Sequence, residues 1–260
     1  MKAAKQIFAA CIALLGLFLA SCECEDIYLG EIELNGTLDS FVPAIEKEEN
    51  LTVLFNNKVG NLGYRTSRDT FLETVPVEKA GKRTHGKGAV SDCVEYYNAQ
   101  NKWIGAYSNT NPLPLDISIL LTKNYKPQGY SEIENKESVD DVVHFSLVYE
   151  TNFPVAVTKG SNTYNSYKTV RTFAFSLNPD KLVYKPHDVK QEYFSSINLD
   201  GVQHEKVYHL YLASPQFSED EAYFNGFYPL SYIQGIYIKE GFGLIRAYTS
   251  TNQKIDFRSR

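Results

Sequence analysis

Apolar and polar side chains alternate with a period of two along most of this chain, a pattern that favours β-sheet. In the run 143–149, Val, Phe, Leu and Tyr alternate with His, Ser and Val, and the run 171–177 repeats the pattern. Successive side chains of a strand point to opposite faces, so each run predicts a strand. No window of a dozen residues shows the apolar spacing of a helix.

Turn residues separate these runs. Asp200-Gly201 supplies the positive φ angles that a two-residue hairpin turn requires. The tetrapeptide 98–101 predicts the loop of another hairpin, and the chain closes with a meander whose turns are 240–241 and 250–252. The predicted strands are 27–34, 51–55, 90–97, 103–107, 116–121, 143–149, 171–177, 193–199, 202–212, 233–239, 242–248 and 254–257.

The composition agrees with sheet. The chain has 19 Tyr and 15 Phe, and aromatic residues favour a half-buried pleated surface. Only the short segments 67–72 and 218–224 have a helical pattern. We therefore predict an all-β fold of antiparallel sheets, arranged as a sandwich or a partly open barrel, with few short helices.

A polar segment interrupts the pattern at 123–141. It contains Pro127 and Gly129, and five acidic residues against one basic residue follow over 131–141. Such a run of charge marks a solvated loop or a linker. Residues 31–260 are therefore expected to form one β-rich domain, or two subdomains that divide near 123–141.

The first 21 residues have the organisation of a secretory signal peptide. Lys2 and Lys5 precede an uncharged apolar stretch at 7–19. A helix that spans the bilayer needs about 20 apolar residues, so this stretch is too short for a permanent anchor. It ends in Leu19-Ala20-Ser21-Cys22, which resembles the lipobox of bacterial lipoproteins.

That resemblance implies that residues 1–21 are removed, that Cys22 carries a diacylglyceryl group, and that 22–30 form a lipidated tether. Each buried CH₂ contributes about 0.8 kcal/mol, so several acyl chains hold a protein on a membrane. Glu23-Cys24-Glu25-Asp26 resembles the surface-export signal of lipoproteins in one Gram-negative lineage. Cys24 interrupts the acidic run, so the alternative to an export signal is a solvated acidic tether. We expect a lipid-anchored protein of the bacterial cell envelope, in the outer membrane, and the export signal would place it at the surface.

The last strands carry a second resemblance. Gln234-Gly235-Ile236-Tyr237-Ile238 and Glu240-Gly241-Phe242-Gly243-Leu244-Ile245-Arg246 look like the closing hairpin of many uncharacterised β-rich lipoproteins. The resemblance covers about 25 residues. It implies a sheet-closing role and no particular activity.

The charge of the chain excludes one class of partner. The formal net charge is −5, and removing residues 1–21 takes away two lysines and no acid. Nucleic acid needs clustered Lys and Arg to neutralise its phosphates, and no basic stripe is present. The partners that we expect are the membrane, through the Cys22 lipid, and an envelope protein or a glycan.

Two cysteines remain once Cys11 of the leader and Cys22 are set aside. Export places Cys24 and Cys93 outside the reducing cytosol, so a disulfide between them is an expectation. Two thiols this far apart lack the spacing of zinc ligands.

The sequence shows no motif for a metal, a cofactor or a catalytic group. His204 and His209 are five residues apart, whereas the zincin motif needs a spacing of four on a helix, and a strand points them to opposite faces. The basic loop 80–88 lacks the order of a phosphate-binding loop. The acidic runs 46–49 and 219–221 lack EF-hand spacing. We therefore expect no metal, no cofactor and no enzymatic activity.

Tyrosine is the remaining indication of function. Loops rich in Tyr, Asn, Ser and Gly resemble adaptable recognition surfaces, and eight tyrosines lie in or near predicted loops. They are Tyr64, Tyr96, Tyr97, Tyr107, Tyr125, Tyr130, Tyr164 and Tyr167.

These observations predict a membrane-anchored binding or scaffold module, whose exposed Tyr and Asn should cluster at one edge of the sheets. One alternative is a carrier of an apolar ligand in a partly open barrel, which an enclosed apolar cavity would distinguish. The other is a hydrolase with an unrecognised site, which a cleft with converging acids would distinguish.

Overall fold

The structure is a computed structural model that describes residues 26–42, 50–55, 58–65, 70–77, 95–107, 115–125, 136, 139–159, 162–183, 185, 188–213 and 231–258. Within these ranges, the 3₁₀ turns Asp39–Phe41 and Pro179–Lys181 accompany thirteen strands. The strands are β1 (Ile27–Ile32), β2 (Asn50–Phe55), β3 (Lys58–Arg65), β4 (Phe71–Pro76), β5 (Glu95–Tyr107), β6 (Leu115–Lys123), β7 (Asp141–Lys159), β8 (Asn162–Phe175), β9 (Val189–Leu199), β10 (Val202–Leu212), β11 (Ile233–Lys239), β12 (Gly243–Thr249) and β13 (Lys254–Arg258).

The strands form two sheets that share β5. The large sheet is antiparallel and has the order β8-β7-β6-β5-β3-β2-β13-β12-β11-β10-β9. In the small sheet, β5 lies between β4, which is antiparallel to it, and β1, which is parallel to it. The fold is sandwich-like and not closed into a barrel, so the predicted all-β class is confirmed.

One predicted hairpin is wrong, because residues 98–101 continue a strand. β5 runs without a turn from Glu95 to Tyr107. Its polar side chains bond to β4 and to the segment that follows β1: Asn98 Oδ1 accepts from Thr74 Oγ1 at 3.3 Å, and Gln100 Oε1 accepts from the Leu34 N–H at 3.1 Å. Ala99 between them is fully buried. Residues with the composition of a turn are therefore part of the small sheet.

The helix predicted at 67–72 is also wrong where it can be compared. Phe71 and Leu72 open β4, where they pair with Asn101 and Gln100 of β5. Residues 67–69 and the second helical candidate, 218–224, lie outside the described residues. Pairing with β5 therefore determines the conformation of this segment in place of its weak local helical preference.

The period-two pattern predicts the core correctly. Val143, Phe145 and Leu147 have no exposed surface, and they pack with the inward residues of the other strands between the two halves of the large sheet. A smaller cluster of Ile32, Val75, Ala99, Tyr125 and Val139 lies on the inner face of the small sheet.

The residues on either side of the polar segment meet in the large sheet. Lys123, the last residue of β6, is in register with Asp141, the first residue of β7. Lys123 Nζ lies 2.6 Å from Asp141 Oδ1, and both side chains are buried. The Asn35 N–H donates to Asp141 Oδ2 at 2.9 Å. The division into two subdomains near 123–141 stays a prediction.

The predicted hairpin at Asp200-Gly201 is confirmed, and it is bent. Asp200 and Gly201 have φ angles of 53° and 88°. Lys206, a non-glycine residue, has a φ of 53°, and only residues from Val207 onward pair with β11. The part of the hairpin from 195 to 206, which we call the flap, folds back over the sheet, because its tip residue Asp200 contacts β12 and β13.

The predicted closing meander is also confirmed as β11, β12 and β13, paired in that order. None of the helical turns in the described ranges is long and apolar enough to cross a membrane.

Candidate binding site on the outer face of the large sheet

Two rows of polar and aromatic side chains cross the outer face of the large sheet, opposite its main core. The register of β9 to β13 places five residues side by side in each row, while Leu210, Ile236, Ala247 and Ile255 between the rows in β10 to β13 are buried. The first row is Glu192, His209, Tyr237, Arg246 and Asp256. The second row is Lys190, Tyr211, Gly235, Tyr248 and Lys254.

The centre of the two rows is a compact group that we call the outer tyrosine cluster, formed by Glu192, His209, Tyr211, Tyr237 and Tyr248. The His209 ring is stacked between two tyrosines, with its centroid 4.3 Å from Tyr237 and 4.7 Å from Tyr211. The interplanar angles are 6° and 22°. Among the residues described, no further ring stacks on Tyr211, which ends the stack.

A chain of polar contacts runs along the edges of these rings. The Tyr211 hydroxyl donates to Glu192 Oε1 at 2.8 Å, and His209 Nδ1 lies 3.6 Å from Glu192 Oε2. On its other side, His209 Nε2 is 2.9 Å from the Tyr248 hydroxyl. Because Nδ1 faces a carboxylate, we assign the ring proton to Nδ1, so Nε2 accepts from Tyr248.

Gly235 provides the space in which Tyr248 lies. The two residues are paired across β11 and β12. A Cβ atom built on Gly235 would be 2.4 Å from the Tyr248 hydroxyl oxygen, far inside van der Waals contact. A side chain at 235 would therefore push the tyrosine out of its contact with His209.

The electrostatics keep the Tyr248 hydroxyl protonated. Burial is the largest cause that raises the pKa of Tyr248, and the neighbouring Tyr237, Tyr211 and Glu192 raise it further. Burial also lowers the pKa of His209, which Glu192 opposes. A carboxylate, a histidine and a hydroxyl in this order are also the arrangement in which a histidine acts as the general base for a hydroxyl. Here burial favours the protonated form of that hydroxyl, the one of Tyr248.

The flap borders this cluster on one side. Asp200 at its tip accepts from Lys254 Nζ at 2.7 Å and lies 2.8 Å from the Arg246 guanidinium. These two cations hold the pKa of the Asp200 carboxyl below its ordinary value. A third apolar cluster of Leu199, Val207 and Ile245 packs beneath the flap, with Tyr237 against it.

His204 on the flap faces charged residues of the sheet. Burial lowers its pKa, and the charges of Lys239 and Arg246 lower it further, while Asp256 raises it. His209 lies in the same row as Arg246 and Asp256. The bend at Lys206 thus brings both histidines towards the outer face, whereas the alternation of a straight strand predicts opposite faces.

A cavity of about 210 Å³ lies beside the start of β9. It is partly open, and Lys185, Lys190, Asp180 and Asp188 are among its lining residues. Gln191 also lines it, and its Nε2 donates to the Ser176 carbonyl at 2.9 Å. A carrier of apolar ligands needs an apolar pocket of about 300–1,000 Å³, and this cavity is smaller and charged.

The tyrosines singled out from the sequence do not form this site. Tyr125 is buried and donates to Glu73 Oε2 at 2.5 Å, and Tyr97 packs against the core of the small sheet. Tyr96 is half-buried and its ring lies 5.6 Å from that of Tyr28. The remaining five are in strands β3, β5 and β8 or outside the described residues: Tyr64, Tyr107, Tyr164, Tyr167 and Tyr130.

Sequence reasoning missed Tyr211, Tyr237 and Tyr248, because they lie within strands and not in loops. The sequence did contain an indication of the cluster: each of three consecutive strands has a tyrosine at a position that faces outward. In the meander, β11 and β12 are hairpin partners, but an irregularity between Tyr237 and Ile238 shifts their register, so the turn alone does not predict that Tyr248 lies opposite Gly235.

Several other predicted sites lie outside the described residues. They are Cys22, Cys24, Cys93, the basic loop 80–88 and the acidic runs 46–49 and 219–221. Lipidation of Cys22 and the disulfide between Cys24 and Cys93 therefore stay predictions.

Within the described ranges, no group of three or more His, Cys, Asp and Glu is placed to hold a metal ion. The chain matches no protein-family model, no curated protein and no solved structure.

Proposed function

We propose that this chain is a lipid-anchored binding module of the bacterial cell envelope. In this proposal Cys22 carries the lipid, residues 22–30 are the tether, and the outer tyrosine cluster meets the partner, an envelope protein or a glycan. The resemblance of 19–22 to a lipobox supports the anchor. The outward position of three tyrosines, a histidine and a carboxylate on a rigid sheet supports the binding function.

The cluster supports binding for a physical reason. Tyrosine offers a large contact area and a hydroxyl at a small cost in conformational entropy, because only two torsions must be ordered. In the cluster those torsions are already restricted by stacking on His209 and by the bonds to Glu192. A partner would therefore meet a surface that is ordered before binding, which lowers the entropic cost of the complex.

The binding function rests on the aromatic surface of the cluster, because the His209 ring is stacked between Tyr237 and Tyr211. Glu192 accepts from the Tyr211 hydroxyl, and His209 is bonded to the Tyr248 hydroxyl. We therefore assign Glu192 and His209 a role in orienting the tyrosines.

Site-specific photo-crosslinking in cells tests the binding function. Benzoylphenylalanine replaces Tyr211 in one strain and Tyr193 in a control strain. Tyr193 is 54% exposed and follows Glu192 directly, so its side chain leaves the other face of the same strand. We expect an adduct at 211 that is absent at 193. Equal labelling at both positions, or none at 211, would contradict the proposal.

Palmitate labelling tests the anchor separately. The unchanged protein should incorporate labelled palmitate, and Cys22→Ala should accumulate as an unlabelled precursor. Normal labelling of Cys22→Ala would refute lipidation at this residue, whatever the outcome of the crosslinking experiment.

A further inference from the structure

The outer tyrosine cluster is small. It covers four strands, β9 to β12, and lies in two neighbouring rows of residues. Neighbouring strands are about 4.8 Å apart, and residues on one face repeat about every 6.8 Å, so the backbone positions of the cluster span roughly 14 by 7 Å. A stable protein interface buries about 800 Å² on each partner, several times this area. The cluster is therefore about the size of one or two sugar rings and much smaller than a stable protein interface.

The groups at the cluster match the chemistry of a sugar. A pyranose ring has apolar C–H groups on its faces and hydroxyls around its rim. Among the residues that the structure describes, Tyr211 ends the ring stack, so it can offer an aromatic face to the C–H groups, while its hydroxyl is fixed by Glu192. A carboxylate has about four acceptor positions. Glu192 uses two of them, towards Tyr211 and His209, and is 48% exposed, so two remain for sugar hydroxyls.

The charges around the cluster point to a neutral ligand. Arg246 is paired with Asp256 and Asp200, and Lys254 is paired with Asp200. Lys190 is 3.6 Å from Asp188. Every cation of the two rows therefore has an acidic partner, so a phosphate or carboxylate on a ligand would have to compete with that partner.

We propose that the outer tyrosine cluster binds a neutral polysaccharide, with one sugar ring on Tyr211 and its hydroxyls on Glu192. The flap forms the wall beside this site, held by Asp200. This inference rests on the proposed binding function and adds to it the class of ligand.

Affinity electrophoresis of the mature protein tests the inference. Native gels contain galactomannan, xylan, dextran or, as the anionic comparison, polygalacturonate. We expect at least one neutral polysaccharide to retard the protein and polygalacturonate to leave it unretarded. Tyr211→Ala should weaken binding about tenfold, the size of effect that a central aromatic contact has in recognition sites. Tyr193→Ala, on the opposite face, should bind as the unchanged protein does.

Glu192→Gln is the second variant, since it keeps the size of the side chain. Its amide presents one acceptor oxygen where the carboxylate has two, so binding should weaken several-fold. Retardation by no neutral polysaccharide, retardation by polygalacturonate alone, or equal binding by Tyr211→Ala and Tyr193→Ala would each overturn the inference. A protease-sensitive crosslink at 211 without retardation would reject the glycan and keep the binding function.

Discussion

The ion pair between Lys123 and Asp141 gives a sharp test of how buried charge supports this fold. The Lys123 side chain is 4% exposed and that of Asp141 is 0% exposed. Lys123→Met keeps an unbranched apolar side chain, one atom shorter, and removes the cation. Asp141 then remains buried with the Asn35 N–H as the partner that the structure shows for it.

The expected cost follows from the desolvation of that carboxylate. Removing one partner of a buried ion pair costs about 3–5 kcal/mol, because the other charge is left uncompensated. Lys254→Met is the matched control, since it breaks the pair with Asp200, where both side chains are about half exposed. Exposed pairs contribute about 0–1 kcal/mol. The two identical substitutions should therefore differ by about 3 kcal/mol.

Urea unfolding followed by tyrosine and tryptophan fluorescence measures both variants. A third variant, Lys123→Met with Asp141→Asn, removes both charges and keeps an acceptor for the Asn35 N–H. It should regain most of the lost stability, because a neutral amide has a much smaller desolvation cost than a carboxylate. If Lys123→Met and Lys254→Met lower the free energy of unfolding equally, or if the double variant regains nothing, the reasoning is wrong.

Three further predictions concern pH, the flap and Gly235. Burial lowers the pKa of His144 from 6.5 to about 4, so the folded state resists its protonation and stability falls as the pH drops from 6.5 towards 4. When the pH falls from 7 to 4.5, the free energy of unfolding of His144→Gln, measured in urea, should fall by about 2 kcal/mol less than that of the unchanged protein. Asp200→Ala should speed amide hydrogen exchange in 195–206 and leave the exchange rates of β6 and β7 unchanged. If the variant and the unchanged protein exchange at the same rate in the flap, the Asp200 contacts do not hold the flap in place. Gly235→Ala should lower stability by about 1–3 kcal/mol in thermal unfolding through the clash with Tyr248, and an unchanged melting temperature would show that Tyr248 moves freely.

The sequence predicts the strands well wherever one face is buried. In β6 the side chains from Leu115 to Leu120 alternate strictly between buried and half-buried, as the period-two pattern requires. The turn at Asp200-Gly201 is equally predictable, because few residues adopt positive φ without strain. These features depend on local chemistry, which one sequence contains.

The missed features depend on contacts between distant segments. Residues 98–101 have the composition of a turn, but in the structure Thr74 and Leu34 donate hydrogen bonds to their side chains and the segment is a strand. The bend at Lys206 could not be predicted from the sequence, because no glycine marks the positive φ angle there. The outer tyrosine cluster needs the registers of four strands at once, and alternation gives the face of a side chain without giving its neighbour on the next strand.

The large sheet is complete only when β13 has paired with β2, and β2 has one unpaired edge until then. Ile255 lies opposite Phe55, although 200 positions separate them in the chain. Closing a loop of this length costs conformational entropy, so β2 is formed before its pairing with β13. Its sequence, Asn-Leu-Thr-Val-Leu-Phe, has no charge and no proline, which is the composition of segments that pair with other chains. Before that pairing β2 can pair with β3 on one edge, and its other edge is open to any strand that arrives first.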